Sequence, residues 1–340
     1  MSNLSKFLNH EIPFYFIVEV ADAHYGSMDR AKRMIEKSVK SGAQAVKFQH
    51  HLPDAEMLPE IPMSQNMTEP LDEFLLKNAI SIEQHVELSN YCKEQKIDYL
   101  CTPFSYKAAE ELKEYIDPIA YKIGSGELLD HPTIVKIMEY KKPMIISTGM
   151  STEDEIKLTY DLFNNYESAL VLMNCTSAYP PKMDEVHVSY VSKMKESFPK
   201  AIVGHSDHTP GIETTLASFV LGATVFEKHL TDDEKLAGPD QSVSINFEQL
   251  TELIEMLNNL SVALKAPKVI HQNEIEIREW AHRSLVYNRD LQVGERINDG
   301  DIWGKRPGTG VPSRFLQNFI GKKLTKNVTN NTLLKQEDFE

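Results

Sequence analysis

Eight short apolar runs, separated by helix-like segments along the first 230 residues, constrain the fold more than any other feature of the chain. They are rich in Val, Ile, Tyr and Phe and too short to be helices, so each predicts a buried strand. We expect strands at Phe16–Ala21, Ala45–Gln49, Asp98–Phe104, Ala120–Ser125, Pro143–Gly149, Ala169–Thr176, Ala201–Asp207 and Ala223–Leu230. Strands that alternate with helices in this way form either a doubly wound sheet or a closed (β/α)8 barrel.

The residues that follow the strands favour the barrel. No strand is followed by the G-x-G-x-x-G pattern that a doubly wound dinucleotide-binding sheet carries. Polar residues instead lie at the carboxyl end of every strand, as they do on the catalytic face of a barrel enzyme. The sequence therefore predicts an α/β fold with a TIM barrel.

Two regions depart from the alternation of strands and helices. Residues 50–80 are longer than an ordinary connection and rich in Pro and Met, which predicts a lid or a loop of the substrate pocket. From residue 283 onward the chain has short strand-and-turn segments, which predict a small second domain. We expect a barrel domain over 1–265, a partly helical linker over 266–282 and the second domain over 283–340.

The net charge of −14 and the pI near 5.4 argue against nucleic acid as a partner, because phosphate binding needs basic patches. An anionic substrate must then be captured by a few local cations. The first residues lack a signal-peptide pattern, and no stretch approaches the about 18 apolar residues of a membrane span. An odd number of cysteines (Cys92, Cys101 and Cys175) suits a reducing compartment. We expect a cytoplasmic protein that does not bind a membrane.

Two lysines, Lys47 and Lys122, lie inside apolar strands, where an unpaired charge is expensive. The alternatives are a paired structural lysine and a lysine on the exterior of the barrel. Two lysines at equivalent strand ends favour a common anion, phosphate or carboxylate. Glycines and hydroxyls at neighbouring strand ends, around Ser125 and Ser147, would add hydrogen-bond donors.

His208 and His229 follow the seventh strand and end the eighth. These strands are neighbours in a barrel, so the two imidazoles could share a divalent metal and leave positions for substrate. Ordinary buried histidines are the alternative. Asp240 could bind sugar hydroxyls or serve only a turn, and Glu19 and Glu127 are placed to bind hydroxyls or transfer protons.

Taken in order, the segments AVKFQ, TPFS, YKIGSGEL, STGM, CTSAYP, SDHTPG, EKHL, GPD and the tail RSLVYNRDLQVGE with KRPGTGVP resemble the sialic acid synthase family. The resemblance covers nearly the whole chain and includes synthases of legionaminic and pseudaminic acid and of 9-phosphorylated acids. It implies condensation of phosphoenolpyruvate with an amino-sugar aldehyde similar to N-acetylmannosamine. The tail resembles the antifreeze-like SAF domain of that family, which implies a domain-swapped homodimer.

The resemblance also implies the roles of individual residues. Phosphoenolpyruvate would be held by Lys47, Thr102, Lys122, Ser125, Ser147, Ser177 and Ser206. The sugar would contact Glu19, Gln49, Tyr179 and Asp240, together with Arg306 from the partner subunit. Glu19, Lys122 and Glu127 would be catalytic. His208 and His229 would bind the metal, Mn²⁺ in most relatives, with Mg²⁺ or Co²⁺ as alternatives.

Some positions depart from the family pattern. Ala23 replaces an asparagine, Asn174 a histidine or lysine, His205 an apolar residue and Gln241 a common histidine. We expect these four departures, together with the one at Ser177, to cluster around the substrate. Ser177 stands where sialic acid synthases commonly have asparagine, a change associated with the legionaminic and pseudaminic acid enzymes, and residues 50–80 show no extra basic cluster for a sugar phosphate.

Two other functions remain open from the sequence. A Schiff-base aldolase would use pyruvate and Lys122 as the nucleophile, but it does not explain Lys47, the serines or the histidine pair. A non-catalytic sugar- or ice-binding protein is suggested by the tail domain alone. Such a binder has no need of a metal site beside two lysines in buried strands.

Overall fold

The computed structural model describes residues 1–58, 62, 67, 69–233 and 238–340 of the protein. The chain forms two compact units, Met1–Lys265 and Ala266–Glu340, each with a hydrophobic core of its own. Within the described part of the chain, no helix is both long and apolar enough to cross a membrane.

Eight parallel strands build the first unit, and all eight were predicted from the sequence. Their bounds are β1 Tyr15–Glu19, β2 Ala45–His50, β3 Asp98–Pro103, β4 Tyr121–Ile123, β5 Met144–Ser147, β6 Leu170–Cys175, β7 Ile202–Asp207 and β8 Val225–His229. The hydrogen-bonded order is β3-β2-β1-β8-β7-β6-β5-β4, and β3 also packs beside β4. The sheet is therefore a nearly closed TIM-type barrel, which confirms the predicted fold.

Helices connect the strands and cover the outside of the barrel. They are α1 Asn3–Leu8, α2 Met28–Lys40, α3 Pro53–Glu56, α4 Leu71–Asn78, α5 Ile82–Gln95, α6 Tyr106–Tyr115, α7 His131–Met138, α8 Glu153–Leu162, α9 Tyr190–Ser197, α10 Glu213–Val220 and α11 Phe247–Ala263. Capping boxes fix the first turns of α5 and α8, where Ser81 pairs with Gln84 and Thr152 with Glu155.

The pleat of each strand separates two apolar layers, because successive side chains point to opposite faces. Ile17 and Val225 belong to the inner cluster of the barrel, whereas Phe16 and Phe226 pack in the outer cluster that includes the helices. Phe7 of α1 adds to the inner cluster, with its ring 6.0 Å from that of Tyr15. The inner layer fills the amino-terminal half of the barrel and leaves its carboxyl end to polar side chains.

The second unit is small and contains α12 Gln272–Ala281 and an antiparallel pair, β9 Ser284–Tyr287 and β10 Ile302–Lys305. Single bridges join further segments to this pair, and Leu285, Ile302 and Leu324 lie in its core. The helix α12 falls in the stretch predicted as a partly helical linker. The boundaries predicted at 265 and 282 stay predictions.

Candidate active site

The carboxyl ends of the eight strands surround a cavity of about 860 Å³. Every predicted site residue of the barrel unit lines it: Glu19, Lys47, Gln49, Thr102, Lys122, Ser125, Glu127, Ser147, Ser177, Tyr179, Ser206, His208, His229 and Asp240. Residues from distant parts of the sequence thus meet in one place. Their individual roles stay predictions.

Arg306, the remaining predicted residue, belongs to the second unit. Its guanidinium carbon lies 4.3 Å from the centre of the Trp280 ring, a cation–π contact within that unit. Its predicted contact with sugar across a subunit boundary stays a prediction.

Two lysines and two glutamates form an ion network at the floor of the cavity. Lys47 pairs with Glu19, and Lys47 Nζ also lies 3.6 Å from Oε2 of Glu227. Lys122 Nζ lies 3.5 Å from the other oxygen of Glu227, Oε1. All four side chains are at most 5 % exposed, so water screens these charges little. Two carboxylates therefore balance the two lysines in the protein alone.

Glu227 is the main site residue that the sequence analysis missed. It precedes Lys228 and His229 in a run of three polar residues, of which only His229 was assigned a role. Because side chains alternate along a strand, Glu227 and His229 share the inner face of β8, and Lys228 points outward to Asp207 at 3.3 Å. The period-2 pattern that identified the strand could have identified Glu227 as well.

The network shifts the pKa values of its members in different directions. Burial lowers the pKa of the Lys122 ammonium below its usual value, and Glu227 offsets only part of that shift. Burial opposes the charge on Lys47 too, but Glu19 and Glu227 together raise its pKa. Burial would raise the pKa of Glu227, yet Lys122 and Lys47 lower it to about 2. Glu227 is therefore a carboxylate at neutral pH, and Lys122 is the more easily deprotonated lysine.

Hydroxyl groups surround the two ammonium groups. Lys47 Nζ donates to Thr102 Oγ1 at 3.0 Å, and Lys122 Nζ donates to Ser147 Oγ at 2.8 Å. Ser206 Oγ donates to Glu227 at 3.0 Å. A β-carbon at Gly149 would lie 2.2 Å from the Ser177 hydroxyl and 2.8 Å from the Ser125 hydroxyl, so a larger residue there would force these hydroxyls to move. The floor thus offers two cations and several hydroxyls to an oxygen-rich anion.

His208 and His229 lie side by side at the rim of the network, with ring centres 5.2 Å apart. Nδ1 of His208 lies 2.9 Å from the carbonyl oxygen of Thr176 and donates to it, while Nε2 lies 3.5 Å from the Tyr179 hydroxyl. Burial opposes the charge on His208, but Cys175 and the Thr176 carbonyl raise its pKa to about 9, so a metal at Nε2 would replace a proton. Burial and the neighbouring His208 hold the pKa of His229 well below its usual value, so His229 is neutral. Nδ1 of His229 lies 3.5 Å from Oδ2 of Asp240.

This pair fits a divalent cation with open coordination positions. A ligand histidine commonly donates its other nitrogen to a backbone carbonyl, as His208 does to Thr176. No cluster of three or more His, Cys, Asp or Glu side chains that could hold a metal occurs among the residues the structure describes. The protein would therefore supply two nitrogens from His208 and His229, and water or substrate would fill the other positions.

Two carboxyl groups in the cavity hold protons more tightly than usual. Burial raises the pKa of Glu127, with Lys122 opposing the shift, and its Oε2 makes no hydrogen bond within the described residues. Burial, helped by Asp22 and Glu19, raises the pKa of Asp240 to about 7. Such groups can give and take protons near neutral pH.

Of the departures expected to cluster around the substrate, Ser177 lines the cavity, whereas Ala23, Asn174, His205 and Gln241 do not. Asn174 and His205 are register partners on the outer faces of β6 and β7, where the Asn174 carbonyl lies 3.1 Å from Nδ1 of His205. Gln241 donates to the hydroxyl of Tyr25 at 2.9 Å, and Ala23 is buried in the outer core. Asn174 and His205 therefore contact each other, and neither of these two departures changes a residue on the cavity-facing side of β6 or β7.

The predicted lid or pocket loop at 50–80 lies partly outside the described residues, which omit 59–61, 63–66 and 68. Its described part includes α3 and α4, and Met67, Leu71, Phe74 and Leu75 line the cavity. The segment therefore contributes an apolar wall, and closure over substrate stays a prediction.

Comparison with known proteins yields relatives along nearly the full chain. N,N'-diacetyllegionaminic acid synthase of Campylobacter jejuni is 32% identical over 94% of this chain and 98% of its own length. Pseudaminic acid synthase of the same species is 29% identical over 98% of both chains. The crystal structure of N-acetylneuraminic acid synthetase from Leptospira borgpetersenii superposes with a TM-score of 0.68 at 26% identity, covering 78% of this chain and 92% of that one.

Two family models match consecutive parts of the chain. The SAF domain model matches residues 282–340, in the second unit. The NeuB family model matches residues 34–268, which include all but one of the cavity residues predicted from the sequence. This protein belongs to the NeuB family and carries a C-terminal SAF domain.

Proposed function

We propose that this protein is a nonulosonic acid synthase, which condenses phosphoenolpyruvate with the aldehyde of an N-acylated amino sugar such as N-acetylmannosamine. The observation that carries the proposal is the pair of buried lysines, ringed by hydroxyls, directly beside two histidines. An anion site next to a metal-ligand pair serves a reaction between an anionic nucleophile and a carbonyl.

Phosphoenolpyruvate would occupy the floor of the cavity. Lys47 and Lys122 would bind its carboxylate and phosphate, because both ammonium groups are fixed by hydroxyl and carboxylate partners before substrate arrives. The remaining donors would be Thr102, Ser125, Ser147, Ser177 and Ser206. Glu227 would keep the two lysines apart and charged while the site is empty.

The reaction forms a carbon–carbon bond to the aldehyde carbon and a carbon–oxygen bond from water to C2, and it breaks the bond between C2 and the phosphate oxygen. C3 of phosphoenolpyruvate attacks the aldehyde carbon, and water adds to C2, which then expels phosphate. Glu127 would take the proton from the water, or deliver one to the aldehyde oxygen, since its pKa is raised and its Oε2 is unpaired within the described residues. Lys122 and Glu19 would hold the reacting groups in place.

His208 and His229 would hold the metal, which we propose to be Mn²⁺, with Mg²⁺ or Co²⁺ as alternatives. A bound divalent cation supplies polarisation of the aldehyde carbonyl. The neutral state of His229 and the hydrogen bond from Nδ1 of His208 to the Thr176 carbonyl support this use of the pair.

The sugar would lie above phosphoenolpyruvate, against Glu19, Gln49, Tyr179 and Asp240. The relatives that make legionaminic and pseudaminic acid match at similar identity, so identity alone does not choose among sugars. Legionaminate, pseudaminate and 9-phosphate variants of the reaction are the alternatives. Ser177 favours a diacetamido hexose, and the sugar would enter without a phosphate.

The working protein would be a domain-swapped homodimer in the cytoplasm, where phosphoenolpyruvate is made. Arg306 of one subunit would complete the sugar site of the other. Three buried free cysteines agree with a reducing compartment.

The test is phosphate release from phosphoenolpyruvate with Mn²⁺ and a panel of sugars: N-acetylmannosamine, its 6-phosphate and diacetamido hexoses. We expect release with one sugar and none after EDTA. His208→Ala should abolish turnover, and His131→Ala, which removes a histidine outside the cavity, should keep it. Turnover by the metal-free enzyme would contradict the proposal.

A Schiff-base aldolase remains the second candidate because the pKa of Lys122 is lowered, as such a nucleophile requires. Borohydride with pyruvate would trap an adduct on Lys122 in that case. We expect no mass change, since Lys122 is held by Ser147 and Glu227 as an anion-binding cation.

A further inference from the structure

A chain of hydrogen bonds runs from the last residue of α3, Glu56, into the sugar half of the cavity, through a histidine that has no assigned role. His51 follows β2 directly and lines the cavity with 7% of its side chain exposed. Its ring stacks on Phe104 with centres 4.2 Å apart and planes inclined by 18°. Glu56 holds Nδ1 from the other side, at 3.0 Å.

The far nitrogen of His51 reaches Gln49. Nε2 lies 3.0 Å from Oε1 of Gln49, and Nε2 of Gln49 donates to Oε1 of Glu19 at 2.9 Å. Glu19 in turn pairs with Lys47. Three side chains, those of His51, Gln49 and Glu19, thus connect Glu56 to the lysine at the cavity floor.

Donor and acceptor accounting fixes the direction of this chain. The Glu19 carboxylate pairs with Lys47, so it can only accept, and the Gln49 amide must turn its NH₂ group towards it. The carbonyl of that amide then accepts from Nε2 of His51, while Nδ1 of the same ring faces a second acceptor, the Glu56 carboxylate. A flipped Gln49 would bring its carbonyl against the Glu19 carboxylate, which is repulsive. His51 strengthens this preference, because its Nε2 finds an acceptor on Gln49 only in the correct orientation.

We propose that His51 is a positioning residue for the sugar site: held by Glu56 and Phe104, it orients the Gln49 amide and, through it, the Glu19 carboxylate that would bind the hydroxyls of the open-chain sugar. This inference rests on the proposed function for its substrate. Glu56 belongs to the same arrangement, because its carboxylate holds Nδ1 of His51. It lies just before the segment that the structure describes only in part.

The adjacent histidine provides a matched control. His50 lies on the opposite face of β2, where its Nε2 is 2.8 Å from Oε2 of Glu111, and it does not line the cavity. His50→Gln should therefore alter stability without altering sugar binding. His51→Phe keeps the stack on Phe104 and removes the donor, whereas His51→Gln restores an NH₂ donor near the position of Nε2.

The kinetic test is a double-mutant cycle in the full-length enzyme with its metal and its preferred sugar. We expect His51→Phe to raise the sugar KM by up to about tenfold, the upper range for the loss of one hydrogen bond, here the one to the Gln49 amide, and to change the phosphoenolpyruvate KM less than about threefold. His51→Gln should recover most of the loss. In a Gln49→Leu background, His51→Phe should change the sugar KM less than about twofold, because its effect passes through Gln49.

Equal effects of His51→Phe in both backgrounds would overturn the inference and mean that His51 contacts the sugar directly.

A second measurement needs no activity: long-range ¹H–¹⁵N spectra of histidine-labelled protein, with His51 assigned from the His51→Phe spectrum. We expect a proton on Nε2. A lone pair on Nε2 would overturn the inference, even if no sugar in the panel reacts. A proton on Nε2 in a protein that releases no phosphate with any sugar of the panel would count against the proposed function alone.

Discussion

Glu227 is placed to control the charge state of a lysine that would bind phosphoenolpyruvate. Its carboxylate lies 3.5 Å from Lys122 and opposes the lowering of that pKa by burial. Above its pKa, Lys122 loses the charge that attracts an anion, so the KM for phosphoenolpyruvate should rise with pH there. Removing the Glu227 charge lowers the pKa of Lys122 further and starts this rise at a lower pH.

We therefore expect Glu227→Gln, which keeps the side-chain shape, to start the rise of the phosphoenolpyruvate KM at a lower pH than in the wild type, over the range from neutral to alkaline pH, with KM rising about tenfold for each pH unit above the pKa of Lys122. KM measured across this range gives the two profiles. Glu111→Gln removes a carboxylate outside the cavity and should follow the wild type. Superimposed profiles for Glu227→Gln and wild type would show that Glu227 does not set this pKa.

Successive side chains of a strand point to opposite faces, so a polar residue reaches the cavity only if it lies on the inner face. The prediction of site residues from the sequence used this alternation only in part. Lys47, Lys122 and His229 were assigned from type and position, and all three line the cavity. Glu227 was missed beside two other charged residues, and Asn174 and His205 were expected near the substrate although they face outward. Contacts such as His51 with Glu56 need three-dimensional positions and could not be predicted from spacing.

At the scale of elements, the pairing of β7 with β8 carries a buried ion pair on the outer side of the barrel. Lys228 and Asp207 are fully buried, 3.3 Å apart, and each precedes one of the two cavity histidines in the sequence. Asp207 also accepts hydrogen bonds from Thr214 and Thr215 of α10, both at 2.7 Å. The pair therefore ties the two strands to the helix that follows β7.

We expect Lys228→Met to lower the free energy of unfolding by about 3 kcal/mol, because it leaves the Asp207 carboxylate buried without its cation. Urea unfolding of the metal-free protein measures the change. The double variant Asp207→Asn with Lys228→Met should lose less than the sum of the single variants. A loss below about 1 kcal/mol for Lys228→Met would mean that the threonine hydroxyls alone satisfy Asp207.

The strands were predictable because each has buried β-branched and aromatic residues bounded by polar ones. Their ends were less predictable: β4 spans only Tyr121–Ile123, whereas the apolar pattern extended over Ala120–Ser125. Gly124 and Ser125 leave the ladder, and a short 3₁₀ turn over Ser125–Glu127 follows. Strand β4 thus ends where the turn that carries site residues begins. Local hydrophobicity does not predict the position of that turn.

At the scale of the whole molecule, the proposed anionic substrate must approach a strongly acidic protein. The net charge is −14, and the cations of the cavity floor are already paired with Glu19 and Glu227. The long-range field therefore repels phosphoenolpyruvate, and only short-range contacts with Lys47 and Lys122 attract it. Salt screens the long-range repulsion far more than contacts between buried groups.

Raising the salt concentration should consequently increase kcat/KM for phosphoenolpyruvate, the opposite of the usual effect on an anion-binding site. Between about 20 and 200 mM salt the Debye length falls from about 20 to 7 Å, and we expect a rise of about twofold. Saturating Mn²⁺ keeps metal binding constant, and potassium glutamate beside potassium chloride separates screening from competition by chloride. The kcat/KM of an uncharged sugar, at saturating phosphoenolpyruvate, serves as the control and should stay constant. A steady fall in both salts would mean that the field at the cavity mouth is positive despite the net charge, and that cations outside the described floor capture the substrate.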